Sequence, residues 1–231
     1  MDPTLPPVPP PEAILARLGP NVRETVIVDG RSFLIDRPSD SDRLLDDPAV
    51  HAAFERDEYM PYWADLWPAA RMLAKVILHE AWTPGQEALE VGCGLGLPGI
   101  VALAMGLKVT FSDYDTCALH FAAANARLNG LADFRTMQLD WRSPPADLRV
   151  PVLLASDLVY ELRNVPPLIE FIKKVLLPGG VCLLTDQDRI PMHALRDALD
   201  TERLPYSTHL VRAGEPGGRR LKGTLYRIRL P

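Results

Sequence analysis

The stretch ALEVGCGLGLPGI, residues 88–100, predicts a short buried strand, a glycine turn and the start of a helix. Two glycine patterns overlap in it. One is the G-x-G-x-x-G spacing of dinucleotide sites, which ends at Gly99, and the other is an acid-x-Gly-x-Gly-x-Gly pattern that begins at Glu90. A strand that turns into a helix in this way brings backbone N–H groups to the carboxyl edge of the sheet, where open α/β folds bind ligands. We therefore expect a nucleoside-containing ligand at this turn.

The charge of Glu90 separates the two candidate cofactors. A dinucleotide places a pyrophosphate at the glycines, whereas S-adenosylmethionine places a cationic methionyl group there. A carboxylate two residues before Gly92 would repel the first and favour the second. Asp113 ends the next predicted strand, about twenty residues after Gly94, and is expected to accept hydrogen bonds from both ribose hydroxyls. These residues favour S-adenosylmethionine. The alternatives are a pairing of Glu90 with a surface base and a helix cap at Asp113, although Asp115 suits a cap better.

Strand and helix patterns alternate along the rest of the chain. Apolar runs predict strands at 88–91, 107–112, 134–139, 151–156 and 181–185. Apolar residues at helical spacing predict helices at about 98–105, 115–129, 163–177 and 190–200, after an earlier helix that begins near Pro68. This alternation is typical of right-handed βαβ units that build a parallel sheet.

Antiparallel hairpins are predicted near both ends of the chain. Asp29-Gly30 lies between two β-rich runs and suits a type I′ turn, and two alternating stretches near residue 231 predict a second pair at one sheet edge. The predicted fold class is α/β, a doubly wound, mostly parallel, seven-stranded Rossmann-like sheet with a C-terminal antiparallel hairpin and an N-terminal β-hairpin and helical extension. The predicted organisation is a disordered Pro-rich tail at 1–12, the extension at 13–66 and a ligand-binding domain at 67–231.

Composition argues against several classes of protein. A chain of 231 residues with 47% hydrophobic content can bury one substantial core, and a net charge of −5 argues against a general binder of nucleic acids or membrane surfaces. The three cysteines lack a C-x-x-C spacing, so neither disulfides nor a zinc site is predicted, and a cytoplasmic location is expected. No apolar run reaches the roughly 18 residues of a membrane helix, and no signal peptide is predicted.

Four motifs between residues 62 and 188 resemble those of a known family. They are WADLWPAARMLA, LEVGCGLGLPGIVAL around the glycine turn, LDW after the third predicted strand and ASDLVYE after the fourth. In this order they resemble the seven-strand S-adenosylmethionine-dependent methyltransferases, and more narrowly the protein-lysine branch, whose members modify chaperones, calmodulin and the electron transfer flavoprotein β subunit. Tyr62-Trp63 and TDQDR at 185–189 resemble the flavoprotein-type members. The resemblance makes 67–231 a methyltransferase domain.

The resemblance also implies roles for individual residues at the cofactor. Trp67 would pack near its methionyl part, Trp141 would stack on the adenine, and Ser156 would lie beneath the cofactor. Ordinary core or rim positions are the alternatives for the two tryptophans. The full set of expected cofactor-binding residues is Trp67, Glu90, Gly92, Cys93, Gly94, Gly96, Asp113, Tyr114, Asp140, Trp141 and Ser156.

Asp157 and Tyr160 form a D-x-x-Y motif, which faces the substrate amine in that branch. Asp157 is expected to accept or orient the proton of a lysine nucleophile, and Tyr160 to hydrogen-bond the amine, unless Tyr160 only begins a helix. Methyl transfer is an in-line displacement, so alignment can supply most of the acceleration. We therefore predict a protein-lysine N-methyltransferase with a protein substrate and no metal.

Three other functions stay open. An N-methyltransferase acting on a small molecule or RNA would use the same chemistry, and the basic C-terminal hairpin is compatible with RNA. A nicotinamide-dependent oxidoreductase would need a motif such as Tyr-x-x-x-Lys, but Asn164 stands four residues after Tyr160. A noncatalytic cofactor-binding protein is the third alternative. No DNA or membrane partner is predicted, and the oligomeric state is left open.

Overall fold

The computed structural model describes residues 19–46, 50–51, 54–55, 60–214, 218 and 220–230. The predicted tail at 1–12 and parts of the predicted extension at 13–66 lie outside these residues. Within the described part of the chain, no helix has the length and apolar character that crossing a membrane requires.

The described strands form two sheets. β1 (Asn21–Val28) and β2 (Arg31–Pro38) pair antiparallel as a separate hairpin. The larger sheet has the strand order β5-β4-β3-β6-β7-β9-β8. Its strands are β3 (Glu87–Val91), β4 (Lys108–Asp113), β5 (Phe134–Gln138), β6 (Val150–Ser156), β7 (Leu176–Asp186), β8 (Tyr206–Ala213) and β9 (Leu221–Arg229).

Five α-helices have bounds within the described residues, apart from the helical positions at 50–51 and 54–55. They are α1 (Pro68–His79), α2 (Leu97–Ala104), α3 (Thr116–Leu128), α4 (Val165–Val175) and α5 (Pro191–Thr201). Four of them have a proline in the first turn, where the missing N–H would have no helical partner. The helix without one, α3, is capped by Asp115, whose side chain accepts a 2.7 Å hydrogen bond from the N–H of Cys117.

The larger sheet confirms the predicted fold class. β3 pairs in parallel with β4 and with β6, and the outer strands β5 and β7 continue the parallel arrangement. Towards the other edge, β9 runs antiparallel to both of its neighbours, β7 and β8. Because the chain passes from β5 at one edge to β6 on the other side of β3, the winding reverses between β3 and β6. A ligand crevice is expected there, at the carboxyl ends of the strands.

The core consists of two apolar layers, one on each face of the sheet. Alternate residues of one strand enter opposite layers: Val152 and Leu154 pack with α1, α2 and α3, whereas Leu153 and Ala155 pack with α4 and α5. Because both faces are covered by helices, the central strand β6 (VPVLLAS) is a nearly continuous apolar run.

The N-terminal hairpin is attached to α3 through two asparagines. Asn125 accepts from the N–H of Asp36 at 2.8 Å and donates to its carbonyl at 3.0 Å. One helical turn later, Asn129 makes the same pair of bonds with Leu34, at 2.9 and 2.7 Å. The two amides therefore pair with β2 as a neighbouring strand would.

The hairpin turn has the predicted geometry. Asp29 and Gly30 have φ values of 43° and 86°, as both centres of a type I′ turn require. The predicted strand at 181–185 is longer than expected, because Leu176 already pairs with Val150 across a register shift.

Candidate active site

A cavity of about 570 Å³ opens at the carboxyl ends of β3, β4 and β6. Ten of the thirteen residues predicted from the sequence line it, together with Tyr62 and Trp63. The ten are Trp67, Gly92, Gly94, Asp113, Tyr114, Asp140, Trp141, Ser156, Asp157 and Tyr160.

The glycine turn leaves room for a ligand against bare backbone. Gly92 and Gly94 have φ values of 61° and 50°, a region that side chains other than glycine rarely adopt. A methyl group at Gly92 would lie 2.5 Å from Cδ2 of Leu158, and one at Gly94 would lie 3.4 Å from the carbonyl oxygen of Trp63. Alanine is therefore unfavourable at both positions.

Gly96 and Cys93 belong to the same turn but do not line the cavity. Gly96 precedes α2 with φ of 83°, and a methyl group there would lie 2.8 Å from Cβ of Ala122. The N–H of Cys93 donates to the carbonyl of Ser112 at 2.9 Å, and its side chain is buried. Burial, with Asp113 and Glu90 nearby, raises the pKa of the thiol well above its usual value. Both residues shape the turn, and their contact with the cofactor stays a prediction.

Glu90 also does not line the cavity, although the charge argument from the sequence expected its carboxylate to face it. Its contact with the cofactor stays a prediction. Its side chain is only 2% exposed, and Oε2 accepts a 3.1 Å hydrogen bond from the N–H of Gly99 in the first turn of α2. Burial raises the pKa of this carboxyl well above its usual value, the Gly99 bond opposes the rise, and Asp113 adds to it. Glu90 instead joins β3 to α2 beneath the turn.

Asp113 is held by the glycine turn itself. Oδ2 accepts from the N–H of Gly94 at 3.0 Å and Oδ1 from that of Asp115 at 3.0 Å. Burial raises the pKa of Asp113 to about 6, and these two backbone bonds oppose the rise. The structure therefore positions this carboxylate at the cavity wall, two residues ahead of the helix cap.

Polar and aromatic side chains form another part of the cavity wall. Arg142, which the sequence analysis did not identify, donates from Nε and Nη2 to the two oxygens of Asp140, at 2.8 and 2.9 Å. Its guanidinium also lies 5.7 Å from the ring centroid of Tyr114. Trp141 lines the same cavity. Trp141 therefore stands in the sequence between the two residues of an ion pair, Asp140 and Arg142.

Asp157 lies deeper in the cavity, in a strained backbone conformation with φ of 56°. Its side chain is 8% exposed, and Nη2 of Arg189 lies 3.0 Å from Oδ1. Nε2 of Gln187 donates weakly to Oδ2 at 3.4 Å. Burial raises the pKa of Asp157 to about 6, Arg189 opposes the rise, and the neighbouring Asp186 adds to it.

Three aromatic rings surround the entrance near Asp157. The Tyr62 ring meets that of Tyr160 at a centroid distance of 5.3 Å and that of Trp67 at 5.9 Å, both edge to face. Nε1 of Trp67 donates to the carbonyl of Tyr62 at 2.7 Å, which fixes the indole. The two tyrosines stay 43% and 42% exposed, so their rings are accessible to a partner. Trp63, by contrast, is buried with its ring against Phe121.

Arg189 was not among the predicted site residues. It lines the cavity, pairs with Asp157 and lies 5.7 Å over the ring of Trp67. The TDQDR motif was the available signal, but nothing in the sequence showed which carboxylate the arginine meets. Among the described residues, no cluster of three or more histidine, cysteine or acidic side chains is arranged to hold a metal ion.

Comparison with protein families gives one match over more than half of the chain. The model of a family described as lysine methyltransferase matches residues 54–197. Among curated proteins, the histone-arginine methyltransferase METTL23 of Rattus norvegicus is 33% identical over 110 residues, which are 45% of this chain and 49% of that protein. Ribosomal protein L11 methyltransferase of Shewanella sp. strain ANA-3 is 40% identical over 85 residues, 36% of this chain and 29% of that protein. The chain therefore spans half or less of these relatives.

Solved structures share the fold at low sequence identity. Ribosomal protein L11 methylase of Lactobacillus delbrueckii subsp. bulgaricus has a TM-score of 0.57 at 21% identity, covering 71% of this chain and 79% of that one. The N-methyltransferase NodS of Bradyrhizobium japonicum WM9, solved with S-adenosyl-l-homocysteine, has a TM-score of 0.57 at 18% identity, covering 95% and 97%.

Proposed function

The chain belongs to the lysine methyltransferase family, and from this membership and its cavity we propose that it transfers a methyl group from S-adenosylmethionine to a lysine side-chain amine of a protein. The observation that supports this most is the burial of Asp157 beside the accessible rings of Tyr62 and Tyr160. An aliphatic ammonium can dock on the rings and deliver its proton to the carboxylate.

The cavity residues fit S-adenosylmethionine in shape and chemistry. Gly92 and Gly94 line the cavity with positive φ values and without side chains, so a ligand can approach their backbone closely. The Asp113 carboxylate at the cavity wall can accept from ribose hydroxyls, and the Trp141 ring can stack on adenine. When bound, the cofactor supplies an electrophilic methyl group on a sulfonium. The nicotinamide alternative receives no support, since the matched family and both structural neighbours named above are methyltransferases.

Asp157 is the group that can make a lysine nucleophilic. A lysine amine has a usual pKa of about 10.4 and is charged at neutral pH, so it must lose a proton before attack. Asp157 lines the cavity and has a pKa of about 6, closer to the operating pH than that of an ordinary aspartate. The chain thereby supplies a proton acceptor, and alignment of the amine in the cavity supplies the remaining acceleration.

The aromatic entrance favours a cation before deprotonation. Tyr62, Trp67 and Tyr160 present ring faces or edges around one opening, and a desolvating ammonium gains roughly 0.5–2 kcal/mol from such rings. Tyr160 can also hydrogen-bond the amine. This combination suits a long cationic side chain better than a neutral nucleobase, which supports a protein substrate over RNA.

A second candidate acceptor is arginine. The relative METTL23 is named a histone-arginine methyltransferase, and its similarity covers almost half of this chain. A guanidinium has a pKa of about 12.5 or above, so an aspartate would orient it rather than take its proton.

The three cysteines are free and buried, which supports a reducing compartment such as the cytoplasm as the working location.

Labelling tests the proposal. The protein is incubated with S-adenosylmethionine carrying a labelled methyl group and with host lysate, and halves of the product are treated with protease or nuclease. We expect protease alone to release the macromolecular label, and Asp157→Asn to transfer little. Label removed by nuclease, or confined to small molecules, would contradict a protein acceptor. No label in any fraction would favour a noncatalytic cofactor-binding protein.

A further inference from the structure

A second carboxyl group lies behind Asp157, outside the cavity. Asp186 ends β7, is 0% exposed and is not among the residues that line the cavity. Its Oδ1 accepts a 2.9 Å hydrogen bond from the backbone N–H of Arg189. Its Oδ2 is buried and has no hydrogen-bond partner within the described part of the chain. A fully buried acceptor without a donor is unusual and points to a missing proton.

Asp157 presents a matching unsatisfied oxygen. Its backbone N–H donates to the carbonyl of Thr185 at 3.0 Å, which fixes it next to Asp186 across the β6–β7 pair. Oδ1 of Asp157 is buried, and although Nη2 of Arg189 lies 3.0 Å away, the contact has the geometry of an ion pair and not of a hydrogen bond. Two neighbouring buried carboxyls thus each lack one donor, and one proton between them would satisfy both.

The surroundings allow this proton to be present or absent. The charge of Asp186 acts on Asp157 and raises the pKa of its carboxyl. Burial and the like charge of the neighbouring carboxyl favour the shared proton, whereas the positive charge of Arg189 favours its loss. The remaining groups that face the pair are Gln187 and the backbone N–H of Ala69 at Asp157, Asp188 at Asp186, and Tyr226, which Asp186 influences by its charge.

We propose that Asp157 and Asp186 form one proton-accepting pair, in which Asp157 is the catalytic residue and Asp186 is a positioning residue that makes it a stronger proton acceptor. The inference rests on the proposed function for its role in turnover. A lone aspartate is a weak base towards an ammonium, but a carboxylate beside a second carboxylate binds its proton more tightly because protonation removes their repulsion.

The proton transfer balances without any further reactant. An N–H bond of the bound lysine ammonium breaks, its electron pair stays on nitrogen as the lone pair, and the proton passes to Asp157 and is held between the two carboxyls. The lone pair then forms the N–C bond with the methyl group while the C–S bond breaks and its electrons pass to sulfur. The pair later returns its proton to water.

The pH profile of two matched variants tests the pair. Asp186→Asn keeps the acceptor for the N–H of Arg189 but removes the like charge, so the acid limb of the kcat/KM profile should move about one pH unit lower. The weaker base should also lower the plateau rate about tenfold. Asp133→Asn, at an exposed aspartate that is not among the groups facing the pair, should leave both unchanged. An acid limb that stays in place in a folded Asp186→Asn protein that still binds S-adenosylhomocysteine would overturn the proposal.

Carboxyl NMR of the wild-type protein provides a second test without any acceptor. With 13C-labelled aspartate, the Asp157 carboxyl signal, assigned by its loss in Asp157→Asn, should titrate in two steps. A single step would overturn the pair, even if Asp186→Asn does not fold. Two steps without methyl transfer would show that the proposed function is wrong while the pair exists. Methyl transfer with a single step would show that only the pair is wrong.

Discussion

Oδ1 of Asp157 lies 3.0 Å from Nη2 of Arg189, so the proposed base is paired with a cation supplied by its own chain. The same guanidinium lies 5.7 Å from the ring centroid of Trp67. An unpaired buried carboxylate would be costly, and this contact keeps the anionic form accessible. The balance between burial and Arg189 therefore sets the pH range in which Asp157 can accept a proton.

Replacing Asp157 with asparagine should separate binding from turnover. The side chain keeps its size, so affinity for S-adenosylhomocysteine, measured by calorimetry, should change less than about twofold. Turnover should fall about 100-fold or more, as is typical when a general base is removed. A parallel loss of cofactor affinity and turnover would instead indicate that Asp157 maintains the cavity's structure.

Replacing Arg189 with glutamine should move the pH profile upward. Arg189 lowers the pKa of Asp157, so its removal leaves burial and Asp186 to raise that pKa further above about 6. The base then stays protonated to a higher pH, and the acid limb of kcat/KM should shift up by about one unit. Arg189→Lys retains the charge and should shift the limb less. An acid limb of kcat/KM at the same pH in wild type and Arg189→Gln would refute the pairing of Arg189 with Asp157.

The tyrosines at the entrance should affect substrate capture more than chemistry. Tyr62→Leu removes a ring that meets Tyr160 at 5.3 Å, and KM for the protein substrate should rise about twofold to fivefold with kcat nearly constant. Tyr62→Phe keeps the ring and serves as the matched control, with KM close to wild type. Equal KM values for the leucine and phenylalanine variants would show that the ring does not contact the substrate.

Cofactor affinity should depend on the ionisation of Asp113. Its pKa is raised to about 6 by burial, and only the carboxylate can accept from both ribose hydroxyls. Binding therefore favours the deprotonated form, so affinity for S-adenosylhomocysteine should increase up to about tenfold per pH unit from pH ~5 and level off above about 6. Calorimetry across this range should show a flat, weaker profile for Asp113→Asn. The exposed Asp133→Asn control should follow wild type.

Asn125 should make a large contribution to stability. Its buried side-chain amide accepts a hydrogen bond from the N–H of Asp36 and donates one to the carbonyl of Asp36. It also donates to the carbonyl of Leu95 at 3.1 Å. Asn125→Ala leaves these groups unpaired and should lower the free energy of unfolding by about 2–4 kcal/mol in chemical denaturation. Asn129→Ala, at a less buried position, should cost about half as much. Equal, small losses would show that the hairpin is not held by these amides.

The fold was predictable because its signals are local. Alternating strand and helix patterns, prolines at helix starts and Asp29-Gly30 each depend on a few neighbouring residues. The sequence also indicated the cavity, because residues at the carboxyl ends of parallel strands converge at one sheet edge.

Contacts between distant segments were not predictable in the same way. Glu90 lies two residues before Gly92, a spacing that suggested a place at the cavity. Its hydrogen-bond partner is the N–H of Gly99, and only the packing of α2 on β3 reveals this contact. Asp186 ends β7 and Arg189 follows it, whereas Asp157 follows β6, so their meeting depends on the pairing of β6 with β7. Local patterns locate a site, whereas its electrostatics arise from tertiary contacts.

The most direct test of the account identifies the modified atom. Host protein labelled by the enzyme and S-adenosylmethionine is hydrolysed, and the labelled amino acid is identified by chromatography with mass spectrometry. We predict that the label is in Nε-methylated lysine and that Asp157→Asn abolishes it. Label in methylated arginine, or equal lysine labelling by the Asp157→Asn protein, would contradict the proposed acceptor or the proposed base.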